Sequence, residues 1–272
     1  MTFTFAKPED KQALKMVYHA CFPGDPDSFW DFELESRMCS DNILTYREND
    51  QIIATVQLLA EELTFSGAVY PVQYIYAAAT LPEAQGRGIM GAMLHHAHQL
   101  ARQRGQRFSV LITQNDSLFD FYARFGYRDC GKLGKLPFSE ECEGQGLVRI
   151  AEQRDVPQML ELYQAAQREI LSVSRTVEAF ELQRLIYEKS VLVYARDGAI
   201  TAYGFRVGPH MLEVIGPDDV QLLAKSGVKN GFTLPRAGLE RMRNGCALPL
   251  DAGAADLLDM HSGIMYLNLM WN

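Results

Sequence analysis

Leu81–Leu94 reads LPEAQGRGIMGAML, with glycines at 86, 88 and 91 leading into a segment that places Met93, Leu94, Ala97 and Leu100 on one helical face. Glycine lets the backbone approach a ligand with no Cβ between them. The first turn of the helix then offers N–H groups that have no partner within it. The helix dipole adds partial positive charge and Arg87 a full one, so the bend suits a pyrophosphate. Two other nucleotide sites are excluded. GRGIMG is not followed by Lys-Ser or Lys-Thr, as a triphosphate-binding loop requires. The strands ahead of it are joined by turns too short for the parallel unit of a dinucleotide fold.

Those strands are Asn42–Arg47, Gln51–Phe65 and Val69–Ala79, separated by Asn49-Asp50 and Ser66-Gly67. Connections this short dictate antiparallel pairing. Upstream, Thr2–Ala6 alternates as a strand, Pro8–Cys21 carries Ala13, Leu14, Val17 and Ala20 at helical spacing, and Phe29–Met38 is a second helical stretch. Downstream, the helix after the glycine bend closes at Gly105, Phe108–Thr113 is a buried strand, and Ser117 caps a short helix to Phe125. Gly126 then turns the chain into a strand over Tyr127–Leu136. The predicted class is α/β (α+β), a mixed, mostly antiparallel sheet flanked by helices.

A second element of the pattern lies in Leu111–Asp129, LITQNDSLFDFYARFGYRD, where a strand ends at Asn115 and Tyr122 follows two helical turns later. The QGRG bend, Asn115, and the tyrosine of FYARFGY together resemble the GNAT acyltransferases, which use acetyl-CoA or a related thioester. The resemblance spans about residues 3–136. It implies that backbone amides across Gln85, Gly86, Arg87, Gly88, Met90 and Gly91 hold the CoA pyrophosphate. It also implies that Ala77, Ala78 and Ala79 bond the pantetheine arm like an added strand, and that Asn115 anchors an amide of that arm. Tyr122 is then the general acid that protonates the departing thiolate. The family's pattern has a small residue where this chain has Met90, with Gly91 beside it. The implied activity is direct attack of a primary amine on acetyl-CoA; the alternative is a non-catalytic CoA-binding regulatory or scaffold protein.

The second half repeats features of the first. Ala6, Asp10 and Tyr18 in FAKPEDKQALKMVY correspond to Ala151, Asp155 and Tyr163 in IAEQRDVPQMLELY, and ILTYRENDQIIA (Ile43–Ala54) lines up with VLVYARDGAITA (Val191–Ala202). This order predicts a duplicated unit, with a GNAT domain over 1–138, a linker or hairpin tip in the acidic SEECEGQG, and a degenerate GNAT-like domain over 147–272. The second copy has only GPDDVQLL (Gly216–Leu223) where a glycine-rich bend would stand. Packing and walling a cleft are the roles left to it. The tandem arrangement resembles acetyltransferases of the enhanced-intracellular-survival type without their third domain.

Composition bounds the remainder. In 272 residues the net charge is −8, which disfavours a nucleic-acid partner, since tracking phosphates takes clustered Lys and Arg. The five cysteines are scattered, which fits a reducing compartment. With no long apolar window and no signal-like start, the expected location is cytoplasmic, with no membrane partner. No metal is expected, although His95, His96 and His98 cluster on one helix. For the acceptor, a small-molecule or peptide amine, the resemblance implies a wall at Trp30 with Phe22, Phe29 and Phe32, aromatics that core packing explains equally. Glu61 or Glu62 is expected to attract the cation, and the resemblance to the tandem acetyltransferases implies the C-terminal carboxylate of Asn272 as a base. A homo-oligomer is left open.

Overall fold

A computed structural model describes residues 1–113, 115–138 and 144–267, so Asn272 and most of the linker lie outside the described residues. The chain forms two compact units that interleave in sequence. The first contains Met1–Glu61, Tyr70–Arg128 and Cys246–Asp256; the second contains Glu62–Val69, Asp129–Gly245 and the chain from Leu257 on.

The first unit is built from β1 (Phe3–Phe5), α1 (Lys11–Cys21), α2 (Asp27–Arg37), β2 (Ile43–Glu48), most of β3 (Gln51–Phe65) and of β4 (Ala68–Thr80), α3 (Ile89–Gln103), β5 (Phe108–Ile112) and α4 (Asp116–Ala123). The sheet runs β1-β2-β3-β4-β5. The β1–β2 and β2–β3 pairs are antiparallel, and β4–β5 is parallel across the α3 crossover. The β2–β3 hairpin turns at Asn49 and Asp50, both with positive φ, as the twist of a two-residue loop demands. One core lies under α3 and α4 and holds Met93, Leu94, Ala97, Leu111 and Tyr122. A second lies under α1 and α2 and holds Leu14, Val17, Tyr18, Trp30 and Leu34. Ser117 sits inside α4 and does not cap it; Asn115 is the residue ahead of the helix.

The second unit holds β6 (Arg128–Leu136), β7 (Leu147–Ile150), α5 (Val156–Ala166), β8 (Leu171–Val173), α6 (Val177–Tyr187), β9 (Val191–Arg196), β10 (Ala199–Val207) and β11 (His210–Ile215). It continues with α7 (Asp219–Lys225), β12 (Asn230–Thr233), most of β13 (Glu240–Pro249), the end of α8 (Ala252–Met260) and β14 (Met265–Tyr266). The pairings of the first unit recur. β7–β9, β9–β10 and β10–β11 are antiparallel, and β11–β12 is parallel across α7. The two units also share a local pattern near their β1 and β7 strands. The Lys7 N–H donates to Asp10 Oδ2 at 2.8 Å, and the Glu152 N–H to Asp155 Oδ2 at 2.7 Å, each aspartate being paired with an arginine, Arg47 or Arg149.

The expected boundary near residue 138 falls inside the second unit, and the reason is an exchange of strands. β6, which follows α4 in sequence, pairs antiparallel with β12. The end of β13, with Cys246, belongs to the first unit, whose outer strand β5 it neighbours.

Candidate functional site

Within the first unit a cleft of about 540 Å³ is lined by Ala78, Thr80, the bend from Ala84 to Gly91, and Leu118, Phe121, Tyr122, Arg124 and Phe125 of the α4 region. The local chain explains it. Ala77 takes φ +45°, a left-handed residue in mid-strand that breaks the regularity of β4. Ala78 lines the cleft, whereas Ala77 and Ala79 pack with the α1–α2 core. At the bend, Gly86 and Gly88 have φ +75° and +77°, and a Cβ on either would meet nothing within 4 Å. These two glycines are required by backbone conformation, and the space beside them is open. Gly91 differs: a Cβ there would come within 2.9 Å of the Phe125 ring, so this glycine makes room for a side chain. Met90 is half-buried and lines the cleft.

The N-terminus of α3 points its amides at this space. Its first backbone bond runs from the Ala92 N–H to the Gly88 carbonyl at 3.1 Å, so the amides of Ile89, Met90 and Gly91 precede the helical ladder. No side chain caps the helix. Gln85 Nε2 donates to the Thr80 carbonyl at 3.1 Å, tying the bend to the end of β4. Arg87 turns to Glu48, with Nη1 donating to Oε2 at 3.1 Å and Nη2 to Oε1.

Tyr122 stands in the cleft wall, 8% exposed, its hydroxyl bonded to no described residue. Burial pushes its phenol up to about 12, with the Cys246 thiol nearby adding to the rise. It is protonated at any ordinary pH. Behind it lies Tyr127, ring to ring at 5.6 Å, whose hydroxyl meets His98 Nε2 at 3.0 Å and Ser109 Oγ at 2.7 Å. Asn115 does not join the described lining. Its Oδ1 accepts from Ser117 Oγ at 2.7 Å on an exposed turn, so the amide expected to anchor the pantetheine arm is engaged locally.

His98 carries a pH signature. Burial, with Arg102 and His95 adding repulsion, pulls its imidazole from 6.5 down to about 4. Between those values the unfolded chain binds the proton and the folded protein does not. The stabilising contribution is therefore complete above pH 6.5 and is lost as pH falls toward 4, by about 3 kcal/mol. Urea unfolding at pH 7.5 and 4.5 checks this: the wild type is expected to lose about 3 kcal/mol more than a His98→Gln variant. Equal losses would refute it. The other two histidines of α3 pack on aromatic rings, His95 against Phe125 and His96 against Phe3. Among the described residues no group of three or more His, Cys, Asp or Glu side chains gathers to hold a metal ion.

On the α1–α2 side the aromatics expected to wall the acceptor pack into a core. Trp30 is 2% exposed and stacked on Tyr18 at 4.3 Å between centroids, with Phe22 and Phe29 around it, because α2 lays Trp30 and Leu34 against α1. Phe32 points outward. The sequence reading missed Glu33 and Arg37 on the same helix. Both are buried, with Arg37 Nη1 3.0 Å from Glu33 Oε2 and the guanidinium 5.7 Å over the Tyr76 ring. Burial pushes the Glu33 carboxyl up against the pull of Arg37. Glu61, half-buried on β3, is in electrostatic reach of Arg37 and Tyr74. Tyr74 in turn feels Glu33 and Tyr122, which links this charged cluster to the cleft. Glu62 is exposed.

An open glycine bend ahead of a helix, an irregular strand and a buried tyrosine thus line one cleft. Residues 3–130 match the family described as the acetyltransferase (GNAT) domain. No curated protein matches the sequence. Solved structures do. A GCN5-related N-acetyltransferase from Kribbella flavida superposes with a TM-score of 0.71 at 15% identity, over 93% of this chain and 72% of that one. One from Anabaena variabilis gives 0.69 at 15%, over 93% and 74%. Eis1 from Mycobacterium abscessus gives 0.64 at 16%, over 94% and 75%. At such identities the likeness carries the fold. No helix is long and apolar enough to cross a membrane among the described residues.

Proposed function

We propose that the first unit transfers an acetyl group from acetyl-CoA to a primary amine by direct attack. The observation that carries this reading is the cleft itself, which places Gly86, Gly88 and the α3 N-terminus at one part of its lining and Tyr122 at another. The amides of Ile89, Met90 and Gly91 would hold the diphosphate, and the irregular β4 edge at Ala77–Ala79 the pantetheine arm. The carrier supplies a thioester carbonyl and a thiolate leaving group.

In the reaction the amine nitrogen forms a bond to the carbonyl carbon and the carbon–sulfur bond breaks. Tyr122 donates to the sulfur as negative charge develops. Full transfer from a phenol held near 12 to a thiolate of about 8.5 is uphill, so the tyrosine acts first as a hydrogen-bond donor that tracks the charge. The attacking amine must itself lose a proton. Glu61, half-buried on β3, would take it, in electrostatic reach of the buried Glu33–Arg37 pair. Two carboxylates against the one guanidinium of Arg37 favour a cationic acceptor, either a small molecule or a peptide amine. Holding both reactants in one cleft supplies much of the rate.

The second unit is a degenerate copy that packs and supports. Its β11 carries the same kind of irregularity, but the residue there, Glu213 at φ +49°, is buried and bound to Arg175, Tyr203 and Tyr266. The test is thiol release from acetyl-CoA across an amine panel. Release with cationic primary amines is expected; binding of CoA with no release by any amine would overturn the enzymatic reading.

A further inference from the structure

The one full positive charge on the bend is not turned toward the open space beside Gly86 and Gly88. Both terminal nitrogens of Arg87 engage the carboxylate of Glu48, the last residue of β2, and the Tyr46 hydroxyl donates to the same carboxylate at 2.9 Å. A guanidinium fork satisfied by one carboxylate is the geometry it would otherwise offer to a phosphate. We propose that Glu48 is a built-in competitor for Arg87, an anion that the diphosphate of the donor must displace, so that Glu48 sets how tightly the carrier is held and how readily spent CoA leaves.

This rests on the reading of the bend as the CoA site. The alternative role for Glu48, holding Arg87 ready for the ligand, predicts the opposite sign. Competition is favoured because exchanging one bidentate anion for another returns little net interaction to the arginine. The pair is partly exposed, at 48% for the Arg87 side chain and 31% for Glu48, so the exchange asks no core group to move. An effect of severalfold is expected, as for solvent-facing charge pairs.

Calorimetry with coenzyme A on the whole chain tests it. Glu48→Gln is expected to bind CoA about threefold to tenfold more tightly than wild type, and Arg87→Ala more weakly. In the Arg87→Ala background, Glu48→Gln should change affinity by less than about twofold, because the competition acts through that arginine. The unliganded melting temperature of each variant, read alongside, separates this from a structural change. Unchanged or weaker binding by Glu48→Gln would overturn the proposal, as would a full gain persisting without Arg87. Wild-type protein that binds no CoA would remove the donor reading itself, a different failure from wild type that binds while Glu48→Gln is not tighter.

Discussion

Tyr122→Phe is expected to lower acetyl transfer by about 10²–10³ while leaving CoA affinity within about twofold. The phenol is buried in the cleft wall and held protonated, and its hydroxyl is uncommitted to any described neighbour. Its full effect is therefore felt when sulfur acquires charge, not when the carrier binds, and an interaction made only at that stage appears in kcat. Phenylalanine keeps the packing against Phe121 and Tyr127, so the fold is expected to survive. Turnover equal to wild type would take the role away from Tyr122. Absent turnover in both proteins, with CoA still bound, would favour a binding protein over an enzyme.

The second large effect concerns stability. Arg175→Met is expected to destabilise the protein by about 3–5 kcal/mol, because it strands a carboxylate in the interior of the second unit. Arg175 Nη2 donates to Glu213 Oε2 at 2.6 Å, with the two side chains 2% and 0% exposed. The guanidinium also lies 4.9 Å over Tyr163 and 5.2 Å over Phe180, so its loss removes packing as well as charge. Differential scanning calorimetry should show a drop of about 6–20 °C. Adding Glu213→Gln to the same variant should recover part of it, since removing both charges costs less than orphaning one. A drop under about 2 °C for the single variant would contradict this account of the cluster.

What could be read from the sequence was local. The glycine bend, its helix and the β2–β3 turn follow from short-range conformational demands, and the structure has Gly86 and Gly88 in the left-handed region and α3 starting at Ile89. Trp30 was harder, because an aromatic on an amphipathic helix serves a wall or a core equally well until α1 supplies Tyr18 as a partner. Glu33 and Arg37 looked like the charged face of α2. Only β4, folding back with Tyr76, makes them a buried pair. The same holds for Glu213, whose partner lies far back in the chain ahead of α6. Strand exchange was not legible either, since β6 and β13 have patterns that fit any sheet and their partners are fixed by topology. Arg87 was identified, but not the glutamate that holds it, because Glu48 approaches only across the fold.

Every functional step here depends on the bend at Gln85–Gly91 receiving a diphosphate. Titrating the whole chain with acetyl-CoA in a calorimeter, with the melting temperature read in parallel, tests that most directly. One site per chain is predicted, with a stabilisation of about 2.7 kcal/mol when the ligand stands a hundredfold above its dissociation constant. No heat and no shift in melting temperature would contradict the account.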